Sequence, residues 1–110
     1  MIGLLYVHGT VRIAEPFRYD SARGIYEGKV EWVSSRYMGG FARKFLDKQE
    51  LRAIMFYRVC KLSPATNVKG QVLVVNNGFL EVDDQGIYLH IRSMEVIGNE
   101  DETIPDPEQE

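Results

Sequence analysis

Aromatic and basic side chains alternate along three stretches of this chain. Tyr6, His8 and Arg12 would share one strand face, Arg52, Phe56 and Arg58 another, and Tyr88, His90 and Arg92 a third. Between Arg36 and Lys61 lie seven Lys/Arg against two acids, together with Tyr37, Phe41 and Phe45. Flat rings can stack on unpaired bases, and cations between them can neutralise a phosphate chain. The residues that carry this chemistry are Tyr6, His8, Arg12, Tyr37, Arg52, Phe56, Arg58, Tyr88, His90 and Arg92. Tyr6, Phe56 and Tyr88 are the stacking candidates; Arg12, Arg52, Arg58 and Arg92 are the phosphate contacts. The opposing expectation is that many of the rings fill a core, with Trp32, Phe79 and one of Phe56 or Tyr57 inside.

Catalytic patterns are missing. The sequence holds no G-x-S-x-G elbow, no G-x-x-x-x-G-K-[ST] loop, no H-E-x-x-H and no G-x-G-x-x-G. Asp83-Asp84 sit beside a turn glycine and read as a hairpin tip. His8 and His90 have no partner in sequence to make either a general base. With one cysteine, Cys60, and two histidines far apart, neither a disulfide nor a metal site is expected. The reading is a binding protein, not an enzyme, with no cofactor.

These side chains need strands to hold them. Period-two alternation runs through Leu5–Ile13, with Leu5, Val7, Gly9, Val11 and Ile13 on one face. Pro16 is expected to stop that strand, and 17–24 to be a loop. Further strands are expected at Ile25–Ser34, Leu51–Cys60, Gln71–Val75 continuing through Phe79–Val82, and Ile87–Ile97. Asn76-Asn77-Gly78 marks a turn or a bulge, and Asp83 to Gly86 a turn. Phe41–Glu50 has a thin apolar stripe and reads as a helix, with the tip of a long hairpin as the alternative. The fold class is all-β. Five strands without a long helix fit a five-stranded OB-fold barrel, because closure hides sheet edges; a small sandwich or SH3-like barrel is the rival.

Charge divides the chain. Gly98–Glu110 holds six acids and no base, whereas the preceding 97 residues hold thirteen Lys/Arg and ten Asp/Glu. The expected organisation is one domain over 1–98 and a disordered acidic tail over 99–110. No apolar run approaches the roughly 20 residues that cross a bilayer, and Met1–Val7 is short for a signal peptide. A cytoplasmic, non-membrane protein is expected.

The segments Leu5–Val11, Val68–Val74 and Gly86–Ile91 with Met94–Ile97 resemble the strands of OB-fold single-stranded-DNA-binding proteins, including the primosomal replication protein B relatives. The resemblance covers Gly3 to Gly98. In the tail, Glu100-Asp101-Glu102 followed by Ile104-Pro105 resembles the acidic tip by which that family recruits replication partners. The chain departs from the tip in having Asp106 after Pro105 and no closing aromatic. It also has only Lys61–Lys69 where many OB domains place a helix. The resemblance implies a protein of replication, recombination or repair that binds single strands with little base specificity. The tail implies a replication or recombination partner; a domain this small covers only about 4–16 nucleotides, so a homo-oligomer is expected, with the first strand's exposed edge able to pair in a dimer. Residue types do not separate DNA from RNA. The compact size suits a phage or plasmid protein. The alternative is a protein-interaction module of a replication or host-takeover complex, with incidental nucleic-acid binding.

Overall fold

The computed structural model describes residues 5–35 and 49–97. They form five strands: β1 (Leu5–Asp20), β2 (Ile25–Ser35), β3 (Glu50–Phe56), β4 (Val72–Asp83) and β5 (Gly86–Val96). The strands close into a barrel in the order β1-β2-β3-β5-β4. All pairs are antiparallel except β3 with β5. This is the five-stranded OB-fold barrel that strand count and length predicted. Following register partners from Tyr6 through Phe79, His90, Ile54 and Glu27 returns to β1 at Arg18 rather than at Tyr6. That offset is the stagger that closure of a sheet requires.

The interior follows the alternation. Val7, Val11 and Ile13 of β1, Val30 and Trp32 of β2, and Leu51, Ala53 and Met55 of β3 meet Leu73, Val75, Leu80, Leu89 and Ile91 of β4 and β5. Trp32 is the bulkiest fully buried side chain; its Nε1 donates to Ser35 Oγ at 2.7 Å. The indole is admitted by Gly9, where a Cβ would approach Trp32 Cζ2 to 2.6 Å and press on the Ser34 carbonyl.

Pro16 does not end β1, which runs on to Asp20. The proline lies inside the register shift between Glu15 and Arg18, where β1 skips its pairing to β2, so its missing N–H breaks no ladder bond. Gly28 lets the bent strand come close: a Cβ there would sit 2.7 Å from the Glu15 carbonyl and 3.1 Å from Phe17. Phe17, expected in a loop, is buried in the core. Its backbone is paired by a side chain, with N–H donating to Asn67 Oδ1 and Asn67 Nδ2 donating to the carbonyl, both at 2.8 Å.

β3 stops at Phe56, where a turn begins with Val59 N–H donating to the Phe56 carbonyl at 2.9 Å. Of the helix expected over 41–50, residues 41–48 lie outside the described residues, and Glu50 opens β3. The first strand's edge is also less available for dimerisation than expected. β1 pairs with β2 over Gly9–Asp20 and with β4 over Leu5–Arg12, so the Gly9–Arg12 stretch is paired on both sides. Asn76-Asn77-Gly78 proves to be a bulge inside one continuous β4. No helix among the described residues is long and apolar enough to cross a membrane.

Candidate nucleic-acid interface

The bulge in β4 decides what the outer surface looks like. Leu73 and Val75 point inward, and strict alternation would turn Phe79 inward too. The extra residue inverts the parity, so Gly78 and Leu80 are buried and Phe79 stands on the outer face. Phe79 was expected in the core; instead it is the middle of an aromatic row.

The row crosses four strands. Tyr6 on β1 is the register partner of Phe79 on β4, which is the partner of His90 on β5. Ring centroids are 6.2 Å apart for Tyr6 and Phe79, 4.7 Å for Phe79 and His90, and 5.1 Å for His90 and Phe56 at the end of β3. All three contacts are tilted or edge-on, the geometry aromatic quadrupoles favour. Tyr6 is 66% exposed and Phe56 52%, although both are large rings. Neither Phe56 nor Tyr57 is internal; Tyr57 is exposed in the turn after β3. The row therefore presents about one ring per strand at the ordinary strand spacing of roughly 4.8 Å.

His90 is the row's half-buried link. Its Nε2 is buried without a hydrogen-bond partner among the described residues. Burial lowers its pKa from the ordinary 6.5, with Arg92 adding to the effect and Glu81 opposing it. An uncharged imidazole between two phenyl rings costs far less than an imidazolium there.

Arg58 and Arg92 flank the row. Together with Phe56, Tyr57, Phe79 and His90 they line a cavity of about 620 Å³. Both arginines are exposed, and neither makes an ion pair among the described residues. Arg58 lies in the turn after β3 rather than on the strand face expected to hold Arg52 and Phe56.

The remaining candidates separate from this row. Tyr88 and Arg52 form the next row along the barrel. The Arg52 guanidinium lies 5.3 Å from the Tyr88 ring centroid, and Tyr88 O–H donates to Glu81 Oε1 at 2.5 Å. Arg52 Nε also donates to Glu27 Oε2 at 3.2 Å. Tyr88 is thus covered by a cation rather than open to a base. Arg12 lies six residues along β1 from Tyr6, paired with Glu31 at 3.0 Å. His8 is half-buried on the Tyr6 side of β1, beside the β4 bulge. Tyr37, and Glu100, Asp101, Glu102, Ile104 and Pro105 of the tail, lie outside the described residues.

A second charged lattice covers β1 and β2. Arg23 pairs with Asp20 at 2.7 Å and with Glu27, and Lys29 with Glu15 at 3.5 Å. The Arg23 hydrogen bond is the largest influence lowering the Asp20 carboxyl. Burial pushes Glu27 up, but the hydrogen bonds from Arg23 and Arg52 outweigh it and the net shift is downward. Cys60 is half-buried, and burial raises its thiol pKa, which makes it a poor nucleophile.

Among the described residues no cluster of three His, Cys, Asp or Glu is placed to hold a metal. Over 5–35 and 49–97 the sequence holds nine Lys/Arg and nine Asp/Glu. The body's positive excess therefore comes from residues 36–48, with four bases and one acid. Comparison with protein-family models, with characterised proteins and with solved structures returns no match to this chain.

Proposed function

We propose that this barrel binds single-stranded nucleic acid across the Tyr6–Phe79–His90–Phe56 row, without catalysing a reaction on it. The observation that supports the reading is the row itself: ring after ring, on neighbouring strands, with its two end rings more than half exposed. Exposed Tyr and Phe in a contiguous line are costly for a monomer unless something covers them. Unpaired bases have the right shape, and each stacking contact is worth about 1–3 kcal/mol. Arg58 and Arg92 supply phosphate contacts beside the rings, and the four bases of residues 36–48 add to the attraction.

Because the described barrel carries no net charge, stacking supplies most of the affinity and steep salt dependence is not expected. Each phosphate contact adds about −0.7 to the log–log salt slope for single strands. The two arginines alone thus give a slope of about −1.4. Fluorescence anisotropy with labelled oligo-dT, at several salt concentrations, measures affinity and slope together. A single strand should bind more tightly than a duplex of the same length. Affinity no better than about 10⁻⁴ M at low salt, the level of weak non-specific attraction, would remove this reading. Protein-only interaction through the same rings is then the surviving function.

A further inference from the structure

The cavity at the Phe56 end of the row is larger than ring packing requires. Its volume of about 620 Å³ lies within the roughly 300–1,000 Å³ typical of small-molecule sites. Two kinds of side chain line it. Phe56, Tyr57 and Phe79 offer ring faces and edges around His90, and Arg58 and Arg92 offer guanidinium groups. The two arginines come from different elements, the turn after β3 and strand β5. Elsewhere on the barrel Arg12, Arg23, Lys29 and Arg52 each have a carboxylate partner. Arg58 and Arg92 have none among the described residues, and a guanidinium fork matches a phosphate as well as it does a carboxylate.

We infer that this cavity is a nucleotide subsite, holding one base against Phe56 and Phe79 and its phosphate between Arg58 and Arg92. The inference rests on the strand-binding reading and adds where the path across the row ends and which groups grip the phosphate there. Burial keeps His90 neutral near pH 7, so the cationic character of the cavity is that of the two arginines. Phe56 and Tyr57, both more than half exposed, lose apolar surface to water when a base covers them. Tyr6 does not line the cavity; it sits beyond Phe79, on β1. A single nucleotide in the cavity therefore leaves Tyr6 uncovered, and a strand that continues along the row reaches it.

The test uses the full chain and three probes: dTMP, thymidine and the hexamer (dT)6. In amide-resolved NMR titrations, dTMP should shift the resonances of Arg58, His90 and Arg92, and thymidine at equal concentration should leave those of the two arginines in place. Replacing both arginines (R58A with R92A) should weaken dTMP and (dT)6 by about tenfold, the lower end for hydrogen bonds to a charged group. Tyr6→Ala should weaken (dT)6 and leave dTMP unchanged. Both arginines are exposed, and a thermal melt of the double variant checks that its fold is intact. Equal shifts from thymidine and dTMP, or dTMP shifts confined to another face, would overturn the subsite. Unchanged (dT)6 affinity in the double variant would overturn it while the strand-binding reading stands. If (dT)6 binds no tighter than dTMP, the cavity serves free nucleotides and the strand end is lost. Absence of any (dT)6 binding would remove the strand-binding reading itself.

Discussion

Two faces of one barrel use similar residues differently. On the β1–β2 side, Arg12, Arg23 and Lys29 are matched to Glu31, Asp20 and Glu15, and Tyr19 packs against Tyr26 at 5.2 Å. Across β1, β4, β5 and β3, the rings form a line and the adjacent Arg58 and Arg92 are unmatched among the described residues. Both faces contain aromatics and cations. The difference is that the first has internal counter-ions and the second does not. Exposed ion pairs contribute only about 0–1 kcal/mol each to stability, so the first face gains little in folding, but most of its cations are engaged; Arg18 on β1 is the exception, exposed and without an ion pair among the described residues. Composition counts a paired and an unpaired arginine alike; only register tells them apart.

The core carries both faces, and breaking it should have the largest effect. Trp32→Ala should cost about 3–5 kcal/mol of stability, since it empties the largest buried side chain. Denaturant unfolding measures this, and loss of folding would disable both faces alike. Next comes the contrast between faces. Phe56→Ala should cost about 1–3 kcal/mol of oligo-dT binding, with little change in stability because the ring is half exposed. Arg12→Ala, on the matched face, should change stability by no more than about 1 kcal/mol and leave binding unchanged. Equal losses of binding from the two variants would erase the distinction between the faces.

A smaller effect separates the faces by pH. His90 has a lowered folded pKa, so its neutral form is favoured on folding and the folded chain holds fewer protons. That contribution is complete above the ordinary value of 6.5 and is lost as pH falls from there through the lowered folded value. The carboxylates Asp20 and Glu27 of the matched lattice also have lowered values, and their contribution is lost only below the ordinary 3.8 and 4.5. Thermal melts between pH 7 and about pH 5 should therefore show a decline that His90→Gln removes and Glu27→Gln does not.

The smallest effect concerns the tail. Its six acids are tethered near the barrel, where their effective concentration is in the millimolar range. On the strand-binding proposal they would compete with phosphate for the unmatched arginines and for the bases of residues 36–48. Deleting residues 99–110 should leave the fold intact and tighten oligo-dT binding, more so at low salt. Weaker binding after the deletion would mean that the tail contributes to the site.

How legible this was in the sequence differs by element. Leu51, Ala53 and Met55 on β3, and Leu89 and Ile91 in the first half of β5, follow the period-two alternation of the sequence into the core. Parity fails where a bulge intervenes. Asn76-Asn77-Gly78 reads as either a turn or a bulge, and only the bulge turns Phe79 outward. Pro16 was read as a stop because a proline lacks a donor. In the fold it occupies a stretch where β1 needs none, and Phe17 was missed with it. In the site, Tyr6, Phe56, His90, Arg58 and Arg92 were named from aromatic-basic spacing, and they meet. Tyr88 and Arg52 were named by the same rule and sit one row away, tied to Glu81 and Glu27. Spacing identifies which residues share a strand face; the barrel's stagger decides which faces share a row, and that depends on bulges in every strand at once.

The central claim is that a single strand lies on the unmatched aromatic face. Photocrosslinking tests it most directly, with an oligonucleotide carrying 5-iododeoxyuridine at successive positions and peptide mapping of the adducts. The account predicts adducts at Tyr6, Phe56, Phe79 or His90, moving along that row as the label moves along the strand. Adducts at Tyr19 and Tyr26, on the ion-paired face, would contradict it.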